Sequence, residues 1–150
     1  MSARTDERGS ASLELVILAP LLFAVLSMIF AFGWFSQTES LVDQAARDAA
    51  RAATAQNARS EVDPLADEIT AETLVDAPSS CARTGRVERT ELSAGAFEVT
   101  DVTDPDQIET VSVTVTCDLD LSTLAFIPRL PPVTVSRTFT SPLDRYRGYQ

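Results

Sequence analysis

The chain has 150 residues, a length that accommodates one membrane span and one small domain but no second globular unit. Its formal net charge is −10, and it contains neither lysine nor histidine. This acidic balance excludes nucleic-acid binding, because phosphate contacts need clustered cationic side chains. Without histidine the commonest general base is missing, so we expect no enzymatic activity, no catalytic residue, no metal site and no cofactor.

The first element along the chain is an apolar block, Leu15–Phe35, which contains 21 residues and no charge. About 20 residues are needed to cross ~30 Å of hydrocarbon as a helix, so the block predicts one membrane span. Glu14 stands at its N-terminal edge. A carboxylate at the centre of a span costs roughly 2.5–3.5 kcal/mol, which the many large apolar side chains outweigh at about 0.3–0.6 kcal/mol each.

Two further features of this block bear on its function. Pro20 predicts a modest bend, which membrane helices tolerate because neighbouring groups satisfy the carbonyl that proline leaves unpaired. Glu14 permits two interpretations, either a carboxylate solvated among lipid headgroups or a functional group. Composition alone does not decide between them.

The residues before the block, Gly9-Ser10-Ala11-Ser12-Leu13-Glu14, place the glutamate fifth after a glycine. This spacing, followed by a long apolar run, resembles the processing motif of type IV pilins and pseudopilins. The resemblance implies that a prepilin peptidase cleaves between Gly9 and Ser10. It also implies that Glu14 pairs with the terminal amine of a neighbouring subunit.

Three further features make the resemblance more specific: the small residues after the implied cleavage point, Pro20 in the span, and the Ala/Arg-rich residues 45–53. Together they resemble the TadE-like family, the minor pilins or pseudopilins of tight-adherence (Flp) pilus systems. The likeness covers about the first third of the chain. It implies a single-pass membrane subunit that contacts membrane lipid, other pilin or pseudopilin subunits and an inner-membrane assembly platform, with a cytoplasmic N-terminus and an extracytoplasmic head.

A different class of function also fits the residues themselves: a membrane-tethered extracytoplasmic binding or sensory module whose span is only an anchor. A third class, a membrane-anchored hydrolase, would use Asp118 and Asp120, which lie two apart and share one face of a predicted strand. Alternating polar residues on the solvated face of a sheet explain these two acids more simply.

Beyond the span, small apolar residues recur at three- and four-residue spacings, which predicts one helix over Leu13–Ala58. Its alanine stripe packs either on this chain's own sheet or on like helices in a filament. Asp63 and Pro64 then predict the N-cap and first residue of a short helix that extends to about Leu74. The resulting division is a leader at 1–9, a transmembrane helix at 10–35, its extracytoplasmic continuation at 36–60 and a head at 61–150.

In the remaining part of the chain, apolar residues recur with a period of two. Thr110–Leu121 and Val133–Thr140 alternate between apolar and polar residues, and Arg86–Leu92 and Phe97–Val102 do so more weakly. Such strands need a cover on their apolar face, and the amphipathic part of the long helix can provide it. The prediction is an α+β, pilin-like fold with a long N-terminal helix, transmembrane and continuing outside the membrane, packed on a small antiparallel β-sheet head.

Two cysteines complete the pattern, Cys81 in a predicted loop and Cys117 on the apolar face of the strongest strand. Outside the cytoplasm this pair can oxidise to a disulfide, which would typically stabilise the head by about 2–4 kcal/mol. The alternative is two reduced thiols, one buried and one exposed. A zinc site is excluded, because two cysteines without histidine supply half of the usual four ligands.

Overall fold

The computed structural model describes residues 7–97, 108–122 and 131–144. In these residues a long N-terminal helix packs on a small three-stranded antiparallel sheet, the predicted α+β, pilin-like arrangement. The helices are α1 (Glu7–Thr54), α2 (Val62–Thr73) and α3 (Ser79–Thr84), and the strands are β1 (Arg86–Leu92), β2 (Thr110–Leu119) and β3 (Val133–Pro142).

Helix α1 contains 48 residues and ends at Thr54, four residues before the predicted end at Ala58. The backbone tightens there, since Ala55 N–H donates to the Ala52 carbonyl (3.1 Å) and Gln56 N–H to the Ala53 carbonyl (3.2 Å). Such i→i+3 bonds satisfy the last carbonyls of a helix and stop its continuation.

The prediction of Asp63 as a helix N-cap is wrong. A 3₁₀ turn at Arg59–Glu61 runs directly into α2, so the helix begins at Val62 and its N-cap is Glu61, whose side chain makes no capping bond. Pro64 consequently falls in the first helical turn. Its missing N–H costs nothing there, because the first four N–H groups of a helix have no partner within the helix.

The sheet has the order β1-β2-β3, and both pairs of neighbours are antiparallel. The strongest predicted strand is the central one, although it ends at Leu119 rather than Leu121. The predicted strand Phe97–Val102 lies outside the described residues except for Phe97. That residue belongs to the turn after β1, where Gly95 has φ 92°, a conformation that glycine adopts without steric cost.

The core lies between α1 and one face of the sheet. Apolar side chains of β2 are buried at alternate positions, and a stripe of α1 residues, all fully buried, covers them. The stripe therefore packs on this chain's own sheet, with α2 packed along its other side. The β2 residues are Val111, Val113, Val115, Cys117 and Leu119, and the α1 stripe is Val42, Ala45, Ala46, Ala49, Ala50 and Ala53.

The opposite face of the sheet carries hydroxyl groups that pair across the strands. Ser112 and Thr140 approach to 2.7 Å between their hydroxyl oxygens, and Thr114 and Thr138 to 2.8 Å. Cross-strand pairs of this kind contribute roughly 0.2–1 kcal/mol each and fix the register. This face is the polar side that the period of two predicted.

Candidate membrane and assembly segment

The N-terminal half of α1 stands apart from the rest of the fold. Its large apolar residues between Leu13 and Trp34 are 40–70% exposed on all sides of the helix. The most apolar stretch has a mean hydropathy of 2.8 with none of it buried, so this helix is long and apolar enough to cross a membrane. A helix that is apolar all round is normally buried, either inside a protein core or in a membrane.

The head begins where this apolar surface ends. Phe35, the last residue of the apolar block, packs against the core cluster, and Thr38 is completely buried. The Thr38 hydroxyl donates to the Trp34 carbonyl oxygen (2.9 Å), so its polar group is satisfied within the helix. Because α1 continues without interruption through these residues, its apolar half is joined to the head by helix rather than by a linker.

The residues of the predicted processing motif lie in the first turns of α1. Gly9 and Ser10 have helical backbone, and Glu14 follows Ser10 by four residues, which places the two on the same face of the helix one turn apart. Pro20 lies inside the same helix. The pairing of Glu14 involves a second subunit and cleavage involves a peptidase, so both stay predictions, as does the bend at Pro20.

A disulfide joins Cys81 to Cys117, with an Sγ–Sγ distance of 2.01 Å and a Cα–Cα distance of 4.9 Å. It ties α3 to β2, and both residues are fully buried. Cys81 lies in the helix α3 rather than in the predicted loop. Sequence reasoning missed this helix because its six residues are too few to display a helical period.

The two acids that a hydrolase would need are both engaged structurally. Asp118 Oδ1 accepts a hydrogen bond from the Thr134 hydroxyl (2.8 Å), and Asp120 Oδ1 accepts one from the Ser122 backbone N–H (2.8 Å). Hydrogen bonds from the Ser122 side chain and backbone, with a smaller contribution from the Arg83 charge, hold the pKa of Asp120 below its ordinary value. A general acid requires a raised pKa, so the hydrogen bonds of both acids and the lowered pKa of Asp120 favour their interpretation as solvated residues at and just after the end of β2.

An open groove between α1 and α2 was not foreseen from the sequence, because nothing local sets the register between two helices. Carboxylates from both helices and from the turn after α2 stand along it, yet no group of three or more His, Cys, Asp or Glu in the described part of the chain could hold a metal ion. The groove is lined by Leu41, Gln44, Asp48, Ile69, Glu72, Thr73 and Asp76.

Two contacts of α1 with β3 were also missed. Arg47 forms an ion pair with Asp43 (2.7 Å between Nη2 and Oδ2), and its guanidinium lies 5.6 Å from the centre of the Phe139 ring. Arg137 forms an ion pair with Glu39. No sequence signal predicts either contact between the two elements, because 92 positions separate Arg47 from Phe139 and 98 separate Glu39 from Arg137.

Comparison with known proteins gives one match. The family model described as TadE-like protein matches residues 9–51, which are 43 of the 150 residues. No curated protein and no solved structure matches the chain. The predicted resemblance is therefore confirmed for this segment, which includes Gly9, Ser10, Glu14 and most of the alanine stripe. A TadE-like segment indicates a protein associated with a tight-adherence pilus, and the family is structural rather than known for catalysis.

Proposed function

We propose that this TadE-like chain is a minor pilin or pseudopilin, a single-pass membrane subunit that takes part in assembling a tight-adherence (Flp) type IV pilus or a related secretion apparatus. The observation that carries the proposal is α1, whose first residues match the family and whose apolar half passes without a break into the core of the head. A subunit of this shape can present its span and its head to neighbours as one rigid body.

In this proposal residues 1–9 are a leader, 10–35 the transmembrane helix, 36–60 its extracytoplasmic continuation and 61–150 the head. Prepilin peptidase removes the leader between Gly9 and Ser10, which generates a new amine one helical turn before Glu14. The N-terminus faces the cytoplasm and the head lies outside. The disulfide supports this orientation, because disulfides persist in oxidising compartments and are rare in the cytosol.

The proposed role of Glu14 follows from its position at the edge of the apolar surface. An isolated carboxylate in hydrocarbon is costly, whereas a carboxylate that meets an ammonium at a few ångströms in a low-dielectric medium recovers much of that cost. The energy of the pair depends on a second subunit, so Glu14 would favour lateral association of spans. Other pilin subunits and the inner-membrane assembly platform are the partners that this role requires.

The mature N-terminus tests the processing step. In cells with an active prepilin peptidase, we expect intact-mass spectrometry of the membrane-extracted protein to find Ser10 as the first residue, with or without methylation. The matched control is the same chain from cells that lack the peptidase, where Met1 or its processed form should remain. Recovery of the uncleaved chain from both strains would refute processing at Gly9.

Replacing Glu14 distinguishes a pilin from a tethered module. We expect Glu14→Ala to abolish or strongly reduce pilus assembly while the head keeps its stability, because Glu14 is exposed and lies far from the core. Leu15→Ala, a truncation at the neighbouring exposed position, is the matched control and should assemble. Normal assembly by the Glu14 variant, together with full function after exchange of the whole span, would favour the alternative of an anchored binding or sensory module.

A further inference from the structure

The orientation of the head relative to the span can be read from the contacts between α1 and β3. Glu39 of α1 forms an ion pair with Arg137 of β3. Two residues further along β3, the Phe139 ring lies against the guanidinium of Arg47, eight residues further along α1. The ion pair of Arg47 with Asp43 directs this guanidinium one helical turn back toward the start of α1. Both elements therefore advance in the same direction. The start of β3 points toward the apolar half of α1, and its end points away from it.

The disulfide places a second group of residues at the same end. Cys117 is the register partner of Val135, and its bond to Cys81 brings α3 to this end of the sheet. Thr84 and Ser80 of α3 accept hydrogen bonds from the backbone N–H groups of Asp118 (2.8 Å) and Asp120 (3.1 Å). We call this end the base of the head, meaning α3, residues 117–122 and residues 131–135.

Simple geometry gives the height of the base. Phe35 lies four residues before Glu39 in the helix, about 6 Å at ~1.5 Å per residue. Val133 lies four residues before Arg137 in the strand, about 13 Å at ~3.3 Å per residue. We take the Glu39–Arg137 ion pair as the common level of the two elements. From that level, β3 extends at least as far toward the span as Phe35 does, provided that the strand is inclined to α1 by no more than about 60°. Phe35 is the last residue of the apolar block.

The described side chains of the base suit the border between hydrocarbon and water. Pro131, Pro132 and Val133 are exposed apolar residues, with Val133 37% exposed. The base also carries two exposed charged side chains of opposite sign, Arg83 and Asp120. Lipid headgroups carry both signs of charge, and a long arginine side chain can keep its cation at headgroup level while its methylenes lie against apolar neighbours.

We propose that the base of the head rests in the headgroup layer of the membrane, with Pro131–Val133 in contact with lipid beside α1. The inference rests on the proposed span, which supplies the membrane. The lipid surface is the occupant because Val133, whose register partner Leu119 is buried, lies on the face of the sheet that α1 covers, near the level where the exposed apolar surface of α1 ends. The head is thereby held in one orientation above the bilayer before it meets another subunit.

Tryptophan quenching by brominated phospholipids tests the proposal, since Trp34 is the chain's single tryptophan. Two variants carry the probe elsewhere: W34F/V133W at the base, and W34F/I108W as the matched control. Ile108 is an exposed aliphatic residue just before β2, at the end of the sheet remote from Leu119 and Val133. In phosphatidylcholine vesicles we expect V133W to be quenched several-fold more strongly than I108W, and nearly as strongly as Trp34 in the wild-type chain.

The outcomes separate this inference from the function on which it rests. Absence of quenching of Trp34 would contradict the proposed membrane span itself. Quenched Trp34 with equal, weak quenching of V133W and I108W would overturn the seating of the head and leave the span intact. Quenching of V133W that is as weak as that of I108W in crowded vesicles, and rises only as the protein is diluted into more lipid, would assign the surface to a second copy and also overturn the proposal.

A measurement on the wild-type protein tests the same proposal without relying on a variant that could fail to fold. A phospholipid with a photoactivatable diazirine near its headgroup should label the tryptic peptide of residues 130–137 in wild-type protein. The labelled position should fall within Pro131–Val133, and residues around Ile108 should stay unlabelled. Labels confined to α1 would contradict contact between the base and lipid.

Discussion

Replacing both cysteines with alanine is expected to lower the free energy of unfolding of the head by about 2–4 kcal/mol. The Cys81–Cys117 bond closes a loop with a sequence separation of 36, and without it the unfolded chain gains conformational freedom. A small head depends on such a covalent tie, because a core of this size supplies only a few kcal/mol of net stability. The loss is therefore a large fraction of the total.

Alanine is the informative replacement because both cysteines are fully buried. A serine pair would add the cost of burying hydroxyl groups and would confuse that cost with the loss of the bond. Denaturant unfolding of the full chain in detergent, followed by far-ultraviolet circular dichroism, measures the difference. Trp34 reports on the span, so its fluorescence serves as the internal control and should respond little to the variant.

Reduction of the wild-type protein provides a second, independent route. Because neither cysteine is exposed, a thiol reductant should act only after the base of the head opens. We expect slow reduction in native conditions and rapid reduction in denaturant, with the reduced wild type unfolding where the alanine pair does. Coincident unfolding of oxidised wild type and the alanine pair would contradict a stabilising role for the bond.

The elements that could be predicted from the sequence are those specified locally. An uncharged apolar run is enough to predict the lower half of α1, and a strict period of two is enough to predict β2. The predicted ends of the elements were less accurate. Helix α1 ends at Thr54 because of backbone hydrogen bonds, which the side chains of the sequence do not predict. Similarly, α2 begins at Val62 because a 3₁₀ turn leads into it, which overrides the capping signal at Asp63.

Contacts between distant segments could not be predicted in the same way. Alternation shows that β2 has an apolar face but not which surface covers it, so the alanine stripe had two possible partners. The ring of Phe139 beneath Arg47 depends on the register of β3 against α1, which is a property of the whole fold. For the candidate site, Gly9, Ser10 and Glu14 follow from family resemblance, because their chemistry involves a peptidase and a second subunit rather than this chain alone.

The alanine stripe provides the second large effect. Ala49 is fully buried in the core cluster that α1 shares with the apolar face of the sheet. Ala49→Leu adds three heavy atoms to this contact and forces the helix away from the sheet. Overpacking of this kind costs about 1–3 kcal/mol and sometimes more, so we expect the denaturation midpoint of the head to fall clearly.

Ala71→Leu is the matched control, because Ala71 lies in α2 with its side chain exposed and the two residues have similar helix propensities. It should change the stability by no more than about 0.5 kcal/mol, as surface substitutions usually do. The comparison also decides what the stripe does in an assembly. If Ala49→Leu destabilises the head of the isolated subunit, its effect on pilus formation acts through the fold. The surface that remains for contacts with neighbouring subunits is then the apolar half of α1, with Glu14 at its edge. An Ala49 variant with wild-type stability and lost assembly would instead make the stripe an interface between subunits.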